Sequence, residues 1–270
     1  MSNPSLSFGG KIPQNYEDFL GPFIFEPFAA DLANRLDWKG VQQVLELACG
    51  SGRLTKHLTE NLPDGTLFTA TDLNADVISV ARSKVKSSKV TWTTADMMNI
   101  PFDENQFDLV VCQFGVMLVP DQQKALAEIF RVLRPGGKVV FSTWADLLAN
   151  KLWLISDKVL NEYLAKSTIR SNPGPFSMSD ADGVIELLRQ TGFKEIISQA
   201  VDKYGEIATA SMAAYGFIQG LPVSSFIQNE NPSLMDDIIE AFEHALIKEI
   251  GDRPLKVSQR ALVFQACKQS

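Results

Sequence analysis

Val44–Gly52 reads VLELACGSG, and Leu67–Asp72, a little further on, reads LFTATD. A short apolar run enters a loop with two glycines, and the helix-compatible residues Arg53–Asn61 follow. That is how a βαβ unit opens, with the glycines at the turn from strand to helix. Gly50 and Gly52 let backbone approach a ligand closely, but a tight turn needs glycine for structural reasons too. The neighbours decide. A dinucleotide loop of the form GxGxxG would have a third glycine where Thr55 stands, and it would hold a pyrophosphate. Glu46 sets a carboxylate beside this loop, which repels a pyrophosphate and suits a cationic group such as an α-ammonium or a sulfonium.

Two more acids follow at matching places. Asp72 ends the second strand, 72 − 46 = 26 residues after Glu46. A carboxylate there accepts both hydroxyls of a ribose, as in nucleotide-binding α/β folds generally. Leu73 beside it offers a flat apolar contact for a purine. Asp96 follows the third strand, 96 − 72 = 24 residues later, next to Met97. It is placed to accept a hydrogen bond from an exocyclic adenine amine. Each acid alone reads equally well as a solvated loop residue. Together, at three successive strand ends, they offer partners for an ammonium, a ribose and an adenine.

Working outward, strand-like and helix-like segments alternate from about 41 to 144, which predicts a parallel sheet covered on both faces. Asn74 and Asp121 are expected to cap helices, and Pro135-Gly136-Gly137 to separate the second of these from a strand at Lys138–Thr143. Residues 1–40 read as a helical cover, a pair of helices interrupted at Gly21-Pro22. Residues 41–270 read as the main domain, with a lid-like insertion over 146–180. Ser179 with Asp182 has the form of a capping box. Phe193–Val201 and Ala261–Ala266 are the last strand candidates, with an amphipathic helix through Met235, Ile238, Ile239, Phe242 and Leu246 between them.

The 270 residues carry a net charge of −7, which disfavours a nucleic-acid partner. No apolar run is long enough for a membrane span, and MSNPSLSFGG lacks the form of a signal peptide. Three scattered cysteines and two histidines predict no metal site and a cytoplasmic protein with reduced thiols.

The segments VLELACGSGRLT, FTATDLN, VTWTTADMMNIPFDENQFDLVVCQFGVMLVPD and EIFRVLRPGGKVVFSTW resemble the class I S-adenosylmethionine-dependent methyltransferases. The resemblance is to the branch that includes ubiquinone- and menaquinone-biosynthesis enzymes and many small-molecule methyltransferases. It implies a Rossmann-like three-layer α/β sandwich whose seven-stranded sheet has the order 3-2-1-4-5-7-6. It implies S-adenosyl-L-methionine as cofactor, held by Glu46, Ala48, Gly50 and Gly52, with Asp72 on the ribose. Asp96 and Met97 would hold the adenine, Gln113 and Phe114 would lie by the methionine moiety, and Tyr16 would close over the cofactor.

Methyl transfer to a small organic molecule is the expected function, by positioning and exclusion of water. The accepting atom (O, C or N) and the oligomeric state stay open. Neither His57 nor His244 is well placed as a general base, so no catalytic residue is named. Met117, Trp144 and Phe176 are candidates for the substrate pocket, with core packing an equal reading for each. CQFGVMLVPD departs from the Asn/Asp-Pro-Pro-aromatic pattern of amino-directed DNA methyltransferases. The alternatives are an NAD-dependent oxidoreductase, a non-catalytic cofactor-binding protein of the same fold, and a protein-directed methyltransferase.

Overall fold

A computed structural model describes residues 12–164 and 174–269. The first eleven residues of the expected cover and residues 165–173 of the expected insertion lie outside the described residues.

The strands are β1 (Gln43–Leu47), β2 (Leu67–Asp72), β3 (Val90–Thr94), β4 (Phe107–Gln113), β5 (Leu133–Trp144), β6 (Lys194–Ile207) and β7 (Leu255–Cys267). They form one seven-stranded sheet in the order β3-β2-β1-β4-β5-β7-β6, as expected. β1 to β5 are parallel, and β7 runs antiparallel to β5. The helices are α1 (Ile12–Asn15), α2 (Glu26–Asn34), α3 (Arg53–Asn61), α4 (Ala75–Lys84) and α5 (Gln122–Val132), then α6 (Lys151–Tyr163), α7 (Ala181–Thr191), α8 (Ala210–Gln219), α9 (Val223–Glu230) and α10 (Met235–Glu249).

The central strands are apolar without alternation because both faces are covered: Val44, Leu45, Val110, Val111 and Cys112 are all fully buried. At the sheet edge β3 is half-exposed. Asn74 caps α4 and Asp121 caps α5, each accepting a backbone N–H at 2.9 Å. α4 follows β2 directly, and α5 follows β4 after a 3-10 turn at Val116–Leu118, so these caps fix where each helix starts beyond its strand end.

Several boundaries differ from expectation. The cap of α7 is Asp180, not Ser179: the Ser179 N–H is used in a turn to the Phe176 carbonyl, and the helix opens one residue later. Pro135-Gly136-Gly137 lies within β5, because Leu133 already pairs with Phe107 and Gly136 and Gly137 bond to Lys268. β6 and β7 are longer than the apolar runs that marked them, since their outer parts alternate or lie exposed.

The N-terminal pair of helices is instead continuous. Tyr16–Phe25 is π-helical and joins α1 to α2 through Gly21-Pro22, with Glu26 N–H bonded to the Gly21 carbonyl five residues back. In an α-helix the proline ring would meet the carbonyl four residues before it. The wider π turn moves that carbonyl aside, so the helix passes the proline without ending.

The chain divides into two compact units. One takes in the described residues of Phe28–Asp146, Asn172–Val201 and Arg260–Ser270, and the other those of Met1–Pro27, Leu147–Ser171 and Asp202–Gln259. In the first, α4 packs on β2 and β3, and α5 on β5 and α7. In the second, α8 packs against the π segment and α10, and α10 against α6. Trp153, Phe217 and Phe242 fill the latter core edge to face, with ring centroids 4.6 and 5.4 Å apart.

Candidate cofactor site

The first unit brings the C-terminal ends of β1, β2, β3 and β4 together. Chain leaving β1 turns through Ala48 (φ 52°), Gly50 (φ 55°) and Gly52 (φ 84°), all left-handed. At Gly50 an added Cβ would meet nothing within 4 Å. The loop therefore bares backbone on an open side, a cradle that a side chain would fill. At Gly52 a Cβ would come to 3.0 Å of Val85 Cγ2 and 3.1 Å of Ala81 Cβ, so this glycine serves the packing of the loop on α4. Gly50→Val is expected to leave the core intact but to abolish cofactor binding. A folded Gly50→Val variant that still binds in calorimetry would refute the assignment of the loop.

Asp72 ties the loop to β2. One oxygen accepts the Gly50 N–H and the other the Asn74 N–H, each at 3.0 Å. Burial pushes the Asp72 carboxyl up, opposed by the backbone N–H groups of Asn74, Gly50 and Leu73. A carboxylate has about four lone-pair sites, so with three N–H groups on it Asp72 keeps room for one further donor. Leu73 is 71% exposed beside it, a bare apolar side chain. The Ala95 N–H bonds to the Asp72 carbonyl at 3.0 Å, joining the ends of β2 and β3.

Asp96 follows, half-buried, with its Oδ1 accepting the Met98 N–H at 2.8 Å. Its loop is clamped to α5. Glu128 accepts the Ile100 N–H, and Arg131, paired with Glu128 through two bonds, donates to the carbonyls of Ile100 and Phe102. Met97 is buried beneath the loop.

Glu46 is 1% exposed, and its Oε2 accepts the Thr55 hydroxyl at 2.6 Å. Burial is the main cause that pushes its carboxyl from the ordinary 4.5 to about 8; the Thr55 hydrogen bond opposes this and the Asp72 charge adds to it. The same burial pushes the Cys112 thiol up to about 12 and raises Cys49 as well. A cationic ligand group beside Glu46 favours its ionised form, so binding releases a proton below pH 8. Affinity for such a ligand should rise by up to tenfold per pH unit toward about 8 and then level off. Calorimetry at pH 7 in buffers of different ionisation enthalpy checks this, and binding without proton release would sink it. For the stability of the free protein the sign is opposite: the contribution of Glu46 is full below pH 4.5 and is lost as pH rises through about 8.

At the end of β4, Phe114 also has a left-handed backbone (φ 55°). Its N–H bonds to the Ser142 carbonyl at 3.0 Å, and its ring stacks on Trp144 at 4.0 Å and 14°. Phe28 meets both rings edge on, at 5.6 and 5.3 Å. Two non-glycine residues in left-handed conformations, Ala48 and Phe114, thus flank the same site, where strain of this kind tends to gather. Gly115 comes next. A Cβ there would lie 2.5 Å from Ala48 Cβ and 2.7 Å from Cys112 Sγ, so the end of β4 is pressed against the glycine loop.

A family model described as "Methyltransferase domain" matches residues 45–141. The ubiquinone/menaquinone biosynthesis C-methyltransferase UbiE of Shewanella halifaxensis is 30% identical over 175 residues, 57% of this chain and 67% of the relative. The chain belongs to the class I S-adenosylmethionine-dependent methyltransferases. A second UbiE, from Idiomarina loihiensis, is 27% identical over 233 residues, 71% of this chain and 90% of that one. Among solved structures, phosphoethanolamine N-methyltransferase 2 of Haemonchus contortus superposes with a TM-score of 0.61 at 19% identity, over 96% of this chain and 57% of that one. It shares the fold. The cofactor of this methyltransferase is S-adenosylmethionine, and the residues fit it: a buried acid for a cation, a second acid for a ribose, and a glycine cradle.

The other expected residues fall in several places. Gln113 is half-buried at the end of β4. Trp144 is only 1% exposed and is held in the aromatic stack. Met117 is buried in a 3-10 turn (Val116–Leu118), and its carbonyl accepts the Ser177 hydroxyl. Phe176, half-buried, lies in a second 3-10 turn that packs against the first. Tyr16 belongs to the other unit, where its ring lies 4.8 Å from Phe25. His57 lies 3.9 Å from Glu60 on its own helix, and His244 is exposed. Sequence reading missed Phe28, Gly115 and the bond from Thr55 to Glu46. For Gly115 a signal existed, a glycine directly after an apolar strand; for Phe28 the partners are distant in sequence, and Thr55 meets Glu46, nine residues back, only through the turn from β1 into α3.

Proposed function

We propose that this methyltransferase acts on a small organic molecule, and that Glu46, Ala48, Gly50, Gly52, Asp72, Leu73, Asp96, Met97, Gln113 and Phe114 bind the cofactor. The observation that carries the reading is the buried Glu46 carboxylate beside a glycine loop that Asp72 ties down. Bound S-adenosylmethionine supplies a methyl group already activated by its sulfonium. The protein's part is then to hold the reactants and keep water out. Glu46 meets the cationic amino-acid end, Asp72 accepts from the ribose, and Asp96 with Met97 and Leu73 fixes the adenine. The turns that carry Met117 and Phe176 are assigned to the acceptor pocket, with Trp144 backing Phe114.

The relatives named ubiquinone/menaquinone C-methyltransferases make a carbon acceptor on an aromatic ring the first to test. The net charge of −7 disfavours a nucleic-acid substrate, and three buried free thiols agree with a cytoplasmic location. Among the described residues, no helix is long and apolar enough to cross a membrane. Labelled methyl transfer to a panel of quinols, phenols and amines tests the proposal. Turnover of at least one is expected, and turnover of protein or nucleic acid alone would overturn it.

A further inference from the structure

We propose that Thr55 is a positioning residue of the cofactor site: its hydroxyl holds the Glu46 carboxylate in the one orientation from which it meets a cationic ligand group. The inference rests on the reading of Glu46 given above and goes beyond it, because Thr55 occupies the position at which a dinucleotide loop has its third glycine.

Both side chains are buried, Thr55 at 0% and Glu46 at 1% exposure. The O–H···O distance of 2.6 Å suits the charge-assisted bond that the Thr55 hydroxyl would make once a cation draws Glu46 into its ionised form. Thr55 adds a backbone hydrogen bond to the same carboxylate. It is the third residue of α3, a nine-residue helix whose cap, Gly52, has no side chain to give. Glu46 therefore serves from the strand end as the acceptor that the first turn of α3 lacks, and negative charge is favoured there. The Glu46 carbonyl is fixed as well, accepting the Thr71 hydroxyl at 2.9 Å. The titratable groups that face Glu46 are Asp72 of β2, Cys49 of the loop and Cys112 of β4. Burial keeps both thiols neutral where Glu46 titrates, so Asp72 is the neighbour whose charge disfavours an ionised Glu46, whereas the Thr55 hydroxyl favours it. Its loss should therefore both loosen the carboxylate and shift the pH at which the site gains affinity.

The test uses S-adenosylmethionine as the probe, with calorimetric titrations from pH 6 to 9 and a thermal melt to check folding. Thr55→Val is expected to weaken binding about 10- to 100-fold at pH 7 and to move the midpoint of the pH profile upward. Thr55→Ser, which keeps the hydroxyl, should restore both. Glu46→Gln should flatten the profile. Wild-type affinity and midpoint in Thr55→Val, beside a flat Glu46→Gln profile, would overturn the role of Thr55 and leave that of Glu46. Weaker binding with an unmoved midpoint would also overturn it, as a packing effect only. A wild-type profile in Glu46→Gln would remove the Glu46 reading and this inference with it. If Thr55→Val does not fold, Thr55→Ala carries the same expectations.

Discussion

Replacing Asp72 by alanine is expected to raise the dissociation constant for S-adenosylmethionine by roughly 30- to 1,000-fold, or about 2–4 kcal/mol. Two losses combine. The carboxylate is the proposed acceptor for the ribose hydroxyls, and it also holds the N–H groups of Gly50 and Asn74 at 3.0 Å. Asp72→Asn separates them, since an amide keeps one acceptor oxygen and can hold one of the two N–H groups. Its affinity should fall between wild type and Asp72→Ala. Isothermal titration reads all three, and equal affinity across them would mean that Asp72 is not on the ligand.

Gly115→Ala is expected to act through the fold. Its Cβ would sit 2.5 Å from Ala48 Cβ and 2.7 Å from Cys112 Sγ, and neither neighbour is the end of a flexible side chain. Cys112 is locked in the central strand β4, so the easier movement is of Ala48, in the glycine loop. Overpacking of this kind costs about 1–3 kcal/mol, here at the upper end because two contacts are violated at once. For a chain of this size that lowers Tm by roughly 5–10 °C. Cofactor affinity should fall with it, because the loop that moves is the one proposed to bind. A melt at the wild-type temperature would show that β4 and the loop are not packed as described.

The sequence was most readable where chemistry and local structure coincide. Asn74 and Asp121 are caps that act on their own neighbours, and Glu46, Asp72 and Asp96 stand at strand ends that hydrophobic runs mark out. The order of the sheet came from resemblance rather than from periodicity. What escaped reading depends on contacts distant in sequence or on backbone geometry. Thr55 is informative only once α3 folds back on β1. Phe28 joins Phe114 and Trp144 across more than eighty residues of chain. Gly21-Pro22 looked like a break because a π turn has no sequence signature comparable to that of an α-helix. Ser179 gave way to Asp180 because a preceding turn had already used its N–H.

The hydrogen bonds from Gly50 and Asn74 to Asp72, with that from Thr55 to Glu46, have a kinetic consequence. The groups proposed to meet the cofactor are held by bonds within the protein itself, so little would have to be rearranged after encounter. Association should then follow a single phase at a rate nearly independent of substitutions in this shell. Their effects would be read in how long the complex lasts rather than in how fast it forms.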